Sequence, residues 1–223
     1  MFQQFFYKEW LKTKWVIILL GMIHIGMIIY LMLALRSTLI ASGKIETIAT
    51  MIGRDMLFIT PYMYIPLISS VVLALVQWLP EMQQRRIRLT LHLPVSMGLS
   101  IGSMLAFSLF ALLIMFGIVA CLLVVIESIW LPRELIVRAL LTLGPWFIAG
   151  LMGYSVTSWI ILEPSWGIRI VWLAIGAPVV YVCLISSQPA CYDHFLPWLI
   201  VLACTVTCLP FYSVYRLSMG KGL

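Results

Sequence analysis

The sequence is dominated by long apolar runs that contain no Asp, Glu, Lys or Arg. Each run is longer than an ordinary strand and has about the 17–25 residues that an α-helix needs to cross a bilayer. The runs lack the alternation of apolar and polar residues that is typical of membrane β-barrel strands. Since lipid cannot satisfy backbone polar groups, we expect an all-α polytopic membrane protein. The six predicted transmembrane helices are Trp15–Leu35, Met56–Leu79, Met97–Ile126, Ala139–Leu162, Ile170–Ser187 and Phe195–Tyr215.

The composition of the 223 residues excludes several classes of protein. Hydrophobic residues make up 63% of the chain and charged residues only 10%. A soluble domain has about 45–50% apolar and about 25% charged residues. A soluble enzyme, a disordered chain and a nucleic-acid-binding module are therefore excluded. The five cysteines form no C-x-x-C pair, so they indicate neither a metal site nor a disulfide framework.

The two sides of the predicted membrane domain differ in charge. The N-terminus, residues 80–96, residues 163–169 and the C-terminus together carry nine Lys and Arg and three acidic residues, a net charge of +6. The other connecting segments carry five basic and five acidic residues, so their net charge is zero. Cytoplasmic segments of membrane proteins are enriched in Lys and Arg. Both termini are therefore predicted to be cytoplasmic.

Residues 1–14 have the pattern of an amphipathic interface helix. Lys8 and Lys12 flank an arc of aromatic residues on a helical wheel. Such a helix lies along the membrane surface with its lysines near anionic lipid headgroups. The alternative is a cytoplasmic extension of the first span. The aromatic residues of the arc are Phe2, Phe5, Phe6 and Trp10.

The cytoplasmic connection 80–96 is longer than a simple link between two antiparallel helices requires, since such links commonly have about 2–8 residues. It contains three arginines and regularly spaced apolar residues. We expect a short amphipathic helix that ends at Pro94 and offers a docking surface for a soluble partner. The alternative is that the arginines only fix the topology. Residues 15–215 then form a single six-span domain, and residues 216–223 form a cytoplasmic tail.

Few residues in the spans indicate chemistry. His24 is the one ionisable side chain deep within a span, and it either lines a substrate path or hydrogen-bonds a neighbouring helix. The pattern Gly98-Leu-Ser100-Ile-Gly102 matches a hydrolase nucleophile motif, but it opens a predicted membrane helix instead of following a strand. The spans hold no charged pair for an ion-coupled carrier, and the chain has no G-x-x-x-x-G-K-[ST] phosphate loop. Any ATP that drives this protein is therefore bound by another polypeptide.

Two short motifs resemble a known family. Lys8-Glu9-Trp10 followed by Lys14 matches an N-terminal K-E-W-x-x-x-[KR] pattern. After the second span, Glu81 matches a leading acid, and the segment ends in Leu91-x-Leu-Pro-Val-Ser96. With the six spans, this resembles the type-2 ATP-binding-cassette (ABC) transporter permeases. The family commonly has Gly-Thr-Leu inside the segment, whereas this chain has Arg85, Arg86 and Ile87.

The resemblance implies a permease subunit of an exporter in the bacterial inner (cytoplasmic) membrane, with no ATP site of its own. It implies two cytoplasmic ABC ATPase subunits, which bind ATP and Mg, and a second copy or a related permease as partners. It does not identify the cargo. The alternative from another class is a non-transporting membrane scaffold or assembly factor. The residues expected to dock the ATPase are Glu81, Arg85, Arg86, Arg88, Leu91 and Pro94, and those of the interface helix are Lys8, Trp10 and Lys12.

Overall fold

The structure is a computed structural model, and it describes residues 2–55, 57–83 and 97–218. Every regular element in these ranges is helical, and six helices are long and apolar enough to cross a membrane. This confirms the prediction of an all-α protein with six candidate spans. The elements are α1 (Phe2–Ser42), α2 (Lys44–Gly53), α3 (Ile65–Gln83), α4 (Met97–Glu127), α5 (Arg133–Leu162), α6 (Trp166–Tyr181), α7 (Leu196–Ser218) and two 3₁₀ turns, Thr60–Tyr62 and Val182–Leu184.

Helix α1 is longer than predicted, because residues 2–14 and the first span form one unbroken helix. The sequence has no glycine or proline before Gly21 that would separate an interface helix from the span. Residues 2–14 therefore continue the first span towards the N-terminus. This continuous helix is the alternative that the sequence left open beside a separate surface helix. The helix has 41 residues, or about 60 Å at about 1.5 Å per residue. It ends before Gly43, whose φ of +80° turns the chain into α2.

The second span begins later than predicted. The sequence places its start at Met56, which lies outside the described residues, whereas α3 begins at Ile65. Pro61 lies in the 3₁₀ turn before the helix, and Pro66 is the second residue of α3. Proline is tolerated in the first turn of a helix, because the backbone N–H groups there have no intrahelical acceptor. The two prolines therefore shift the start of the helix towards residue 65.

Helix α5 lies at the centre of the bundle. In its most apolar stretch 61% of the residues are buried, compared with 28% or less in α1, α4, α6 and α7. A Cβ atom at Gly150 would lie 3.0 Å from the carbonyl oxygen of Pro66, so the glycine allows α3 to approach α5 closely. The outward faces of the other helices carry exposed apolar side chains such as Leu19, Phe110 and Val171. A buried centre with an apolar outer surface is typical of a multi-pass membrane protein.

The helices alternate in direction, so the bundle has two distinct ends. We call one the termini end: α1 begins there, α3 and α5 end there, and α7 reaches it with its last turn. Ion pairs between α1 and α3 and between α5 and α7 lie at this end. The other end, which we call the loop end, carries α2 and the connection between α4 and α5.

Candidate functional site

Five polar side chains of α1 and α3 meet at the termini end, and we call them the α1–α3 cluster: Lys8, Glu9, Lys12, Gln77 and Glu81. Residues three or four positions apart lie on the same face of a helix. Lys8, Glu9 and Lys12 therefore share one face of α1. Gln77 and Glu81 share one face of α3, which packs against the first.

The cluster contains a buried ion pair. The side chain of Glu81 is only 1% exposed, and its Oε1 lies 3.0 Å from Nζ of Lys12 and 3.4 Å from Nζ of Lys8. The side chain of Lys12 is 17% exposed, while that of Lys8 is 43% exposed. Lys12 also donates a hydrogen bond to the backbone carbonyl of Gln77. Lys12 is therefore the main partner of Glu81, because it is the more enclosed lysine and contacts α3 twice.

Gln77 connects four helices through its side-chain amide. Its Nε2 donates to Oε2 of Glu9 at 3.0 Å and to the backbone carbonyl of Met104 on α4 at 3.0 Å. Its Oε1 accepts a hydrogen bond from Ser108 on α4 and another from the hydroxyl of Tyr154 on α5, both at 2.6 Å. An amide offers two donors and two acceptor lone pairs. All four are used, so Gln77 fixes α1, α3, α4 and α5 relative to one another.

Glu9 is buried as deeply as Glu81 but is bound differently. Its side chain is 1% exposed, and Oε2 accepts the hydrogen bond from Gln77. Its Oε1 forms no hydrogen bond with any described residue. A buried oxygen without a partner costs free energy, commonly about 1–3 kcal/mol. The cluster therefore combines a paired carboxylate with one that is only half satisfied.

Three of the sequence-predicted site residues take part in the α1–α3 cluster. Lys8 and Lys12, expected near lipid headgroups, form ion pairs with Glu81. Glu81, expected on an ATPase-docking surface, is enclosed between helices α1 and α3. Trp10 is 44% exposed and takes no part in these ion pairs. The other residues expected to dock the ATPase, Arg85, Arg86, Arg88, Leu91 and Pro94, lie outside the described residues.

His24 is fully buried near the middle of the bundle and links α1 to the segment around α3. Its Nδ1 is hydrogen-bonded to the hydroxyl of Tyr62, and its Nε2 lies 3.1 Å from Oγ of Ser69. The Ser69 hydroxyl donates its proton to the carbonyl of Pro66 at 2.9 Å, so Nε2 is the donor to Ser69 and Nδ1 accepts from Tyr62. His24 therefore makes hydrogen bonds to neighbouring segments, as in the interpretation of this residue as an interhelical contact. It cannot take a proton from Ser69 in this arrangement.

Another buried carboxylate, that of Glu163, links the end of α5 to α6 and α7. Its Oε1 lies 2.8 Å from Nη1 of Arg216, and its Oε2 accepts from Ser213 at 2.9 Å and from Nε1 of Trp172 at 3.3 Å. Glu163 has no exposed surface. The sequence placed it in a solvated connection, and only its closeness to an apolar run signalled burial.

Sequence reasoning also missed Gln77, the centre of the α1–α3 cluster. The sequence does contain a sign of such a contact, since Gln77 is a polar amide within the predicted second span, directly before Trp78. Polar residues at such positions commonly hydrogen-bond another helix.

The described residues contain no group of three or more His, Cys, Asp or Glu side chains that would hold a metal ion. Ser100, the serine of the G-x-S-x-G pattern, is buried in α4, and its hydroxyl has no hydrogen-bond partner among the described residues. The α1–α3 cluster and the contacts of Glu163 join helices at the termini end.

No family model, no curated protein and no solved structure matches this chain.

Proposed function

We propose that this chain is the permease subunit of an ABC exporter in the bacterial inner membrane, powered by a separate cytoplasmic ATPase. The observation that carries the proposal is the α1–α3 cluster, which joins the first helix to the last turns of α3. Residue 83, where α3 ends, leads directly into the arginine-rich segment that resembles an ATPase-docking helix. A movement of that segment would act first on the helix turn that holds Glu81.

The proposed transmission follows the contacts of the cluster. Closure of the ATPase dimer on ATP would push on the segment after Gln83 and shift the end of α3. Glu81 would carry the shift to Lys8 and Lys12 on α1, and Gln77 would carry it to α4 and α5. ATP shifts such an equilibrium only if the segment makes different contacts in the two states. We place the access change at an interface with a second permease copy or a related permease.

The first test is expression of the chain together with its genomic neighbours, purification in mild detergent and identification of the proteins that co-purify. A soluble ATPase at fixed stoichiometry, with turnover that depends on this chain, is the expected result. A folded chain that binds other neighbours and no ATPase would contradict the proposal. That outcome would favour a membrane scaffold or assembly factor instead.

A variant of the docking segment tests the arginines directly. Replacing Arg85, Arg86 and Arg88 with Ala is expected to lower ATPase capture at least about tenfold, since a loss of about 1.4 kcal/mol is a factor of ten in binding. The matched control replaces Arg36, Arg54 and Arg133 with Ala. These three arginines are exposed towards the loop end, so the control removes the same three positive charges. Both variants must keep the wild-type unfolding temperature. Undiminished ATPase capture by the first variant, with transport intact, would remove the docking role.

A further inference from the structure

A lateral groove runs between α3 and α6 with α5 as its floor, and we call it the α3–α6 groove. Two adjoining cavities form it, with volumes of about 540 Å³ and 350 Å³. They share Ile160 on α5 and Leu173 on α6, so they are two parts of one surface feature. The larger part lies towards the termini end, beside Arg169, and the smaller part reaches Tyr64 and Tyr181.

Both walls of the groove pack closely on α5 at glycines. A Cβ atom at Gly153 would overlap Cδ1 of Leu67 on α3. A Cβ atom at Gly176 on α6 would lie 2.5 Å from Cγ1 of Val156. Small residues allow helix backbones to approach closely in membranes. Both walls therefore lie directly against α5, which forms the floor of the space between them.

The groove has the shape and polarity of a binding site for a lipid chain. Its sides are apolar along most of its length, for example at Val71, Ile160 and Leu173. From Arg169 to Tyr181 it follows α6 for about 18 Å at about 1.5 Å per residue. One leaflet of the hydrocarbon core is about 15 Å thick, half of about 30 Å. One acyl chain of a membrane lipid therefore fits lengthwise.

Within the described part of the chain, the positive charge at the termini end of the groove has no acidic partner. Arg169 donates from Nε to the backbone carbonyl of Glu163 at 2.7 Å and from Nη2 to that of Ile161 at 3.4 Å. Its guanidinium lies over the ring of Trp166, 5.0 Å from the centroid. The nearby Glu163 carboxylate is bound by Arg216 instead. Among the described residues no carboxylate forms an ion pair with Arg169, whose hydrogen bonds there go to backbone carbonyls.

We propose that the α3–α6 groove binds one anionic phospholipid from the leaflet at the termini end. Its phosphate binds Arg169, and one acyl chain lies along α5 towards Tyr181. Charge complementarity selects this occupant, because a guanidinium binds a phosphate with two parallel hydrogen bonds. A zwitterionic lipid offers a weaker net attraction to an uncompensated cation at a membrane surface. The inference goes beyond the proposed exporter role and does not depend on it.

The experiment uses the full-length chain, stripped of lipid in detergent, and counts retained lipids by native mass spectrometry. We expect one phosphatidylglycerol to bind about tenfold more tightly than phosphatidylcholine of the same chain length. Arg169→Gln is expected to bring the two affinities together. The matched control is Lys14→Gln: Lys14 also lies over a tryptophan ring, that of Trp15 at 5.6 Å, but outside the groove. It should keep the tenfold preference.

A second variant tests the groove itself. Leu173 is 54% exposed and faces both cavities, so Leu173→Trp fills the groove without burying a new side chain in the core. It is expected to remove tight binding of both lipids while the unfolding temperature stays unchanged. Equal affinity of the wild-type chain for the two lipids would overturn the proposal. An equal loss of preference in Lys14→Gln and Arg169→Gln would also overturn it, since it would indicate general surface charge.

A photoreactive benzoylphenylalanine at position 173 distinguishes lipid from protein as the occupant. In vesicles that contain phosphatidylglycerol, the expected product is a lipid adduct on the chain. A predominant cross-link to a second copy would mean that the groove is closed by protein, and the proposal would be wrong.

Discussion

Helix α3 has two sides that are held in different ways. Towards α1 it is joined by the ion pair of Glu81 with Lys12, by the hydrogen bond from Lys12 to the Gln77 backbone carbonyl and by that from the Gln77 amide to Glu9. Towards α6 it presents the apolar wall of the α3–α6 groove. Hydrogen bonds and ion pairs depend on distance and angle, whereas apolar contacts in lipid can be exchanged for contacts with acyl chains at little cost. Helix α3 is therefore fixed on the α1 side and adaptable on the α6 side.

The difference indicates where a conformational change would occur. A displacement of α3 relative to α1 breaks several directional bonds at once and leaves buried charges without partners. A displacement of α6 relative to α3 only changes the width of a groove that lipid can fill. We therefore expect α1 and α3 to move together and the groove to change its width.

The largest expected effect is the loss of the buried ion pair. Lys12→Met should lower the free energy of unfolding by about 3 kcal/mol, because it leaves the buried Glu81 carboxylate with only Lys8. Lys8→Met is the matched control and should cost less than about 1 kcal/mol, since Lys8 is the more exposed lysine. Equilibrium unfolding of both variants in mixed detergent micelles measures the difference. Equal losses would show that the two lysines share Glu81 evenly.

A medium effect is expected where α3 packs on α5. In Gly150→Ala the new methyl group would lie 2.8 Å from Phe116 and 3.0 Å from the Pro66 carbonyl and the Ser70 hydroxyl. Such overpacking commonly costs about 1–3 kcal/mol. Gly117→Ala is the control, because a Cβ atom there has no neighbour within 4 Å. It should be neutral or slightly stabilising, since alanine favours a helix more than glycine does. A neutral Gly150→Ala would mean that the two helices can separate freely.

The smallest effect is expected on the groove side. Leu173→Ala removes an exposed apolar side chain that faces the α3–α6 groove. Substitutions at exposed positions usually change stability by less than about 0.5 kcal/mol. The same unfolding assay tests this value. A loss as large as that of Gly150→Ala would show that Leu173 holds the bundle together, and the contrast between the two sides of α3 would fail.

The apolar runs predicted the helices well because membrane burial acts on each run locally. For example, the third run, Met97–Ile126, matches α4 to within one residue. The buried carboxylates were harder to predict. Glu9, Glu81 and Glu163 lie beyond the ends of the runs, so the sequence assigned them to water-exposed segments. The side chains that bind them from another helix include Gln77, Lys12 and Arg216, each more than 50 positions away in the chain, and no local pattern specifies such a pairing.

The length of α1 has a mechanical consequence. The helix measures about 60 Å, about twice the 30 Å thickness of the hydrocarbon core. If it rotates as a rigid lever about its midpoint, a tilt of about 10° moves each tip by about 5 Å. The N-terminal half of the helix carries Lys8 and Lys12, which form ion pairs with Glu81. The C-terminal half leads through Gly43 to α2. A small displacement of the N-terminal half of α1 at the termini end would thus displace α2 at the loop end, while the conformation of α1 stays unchanged.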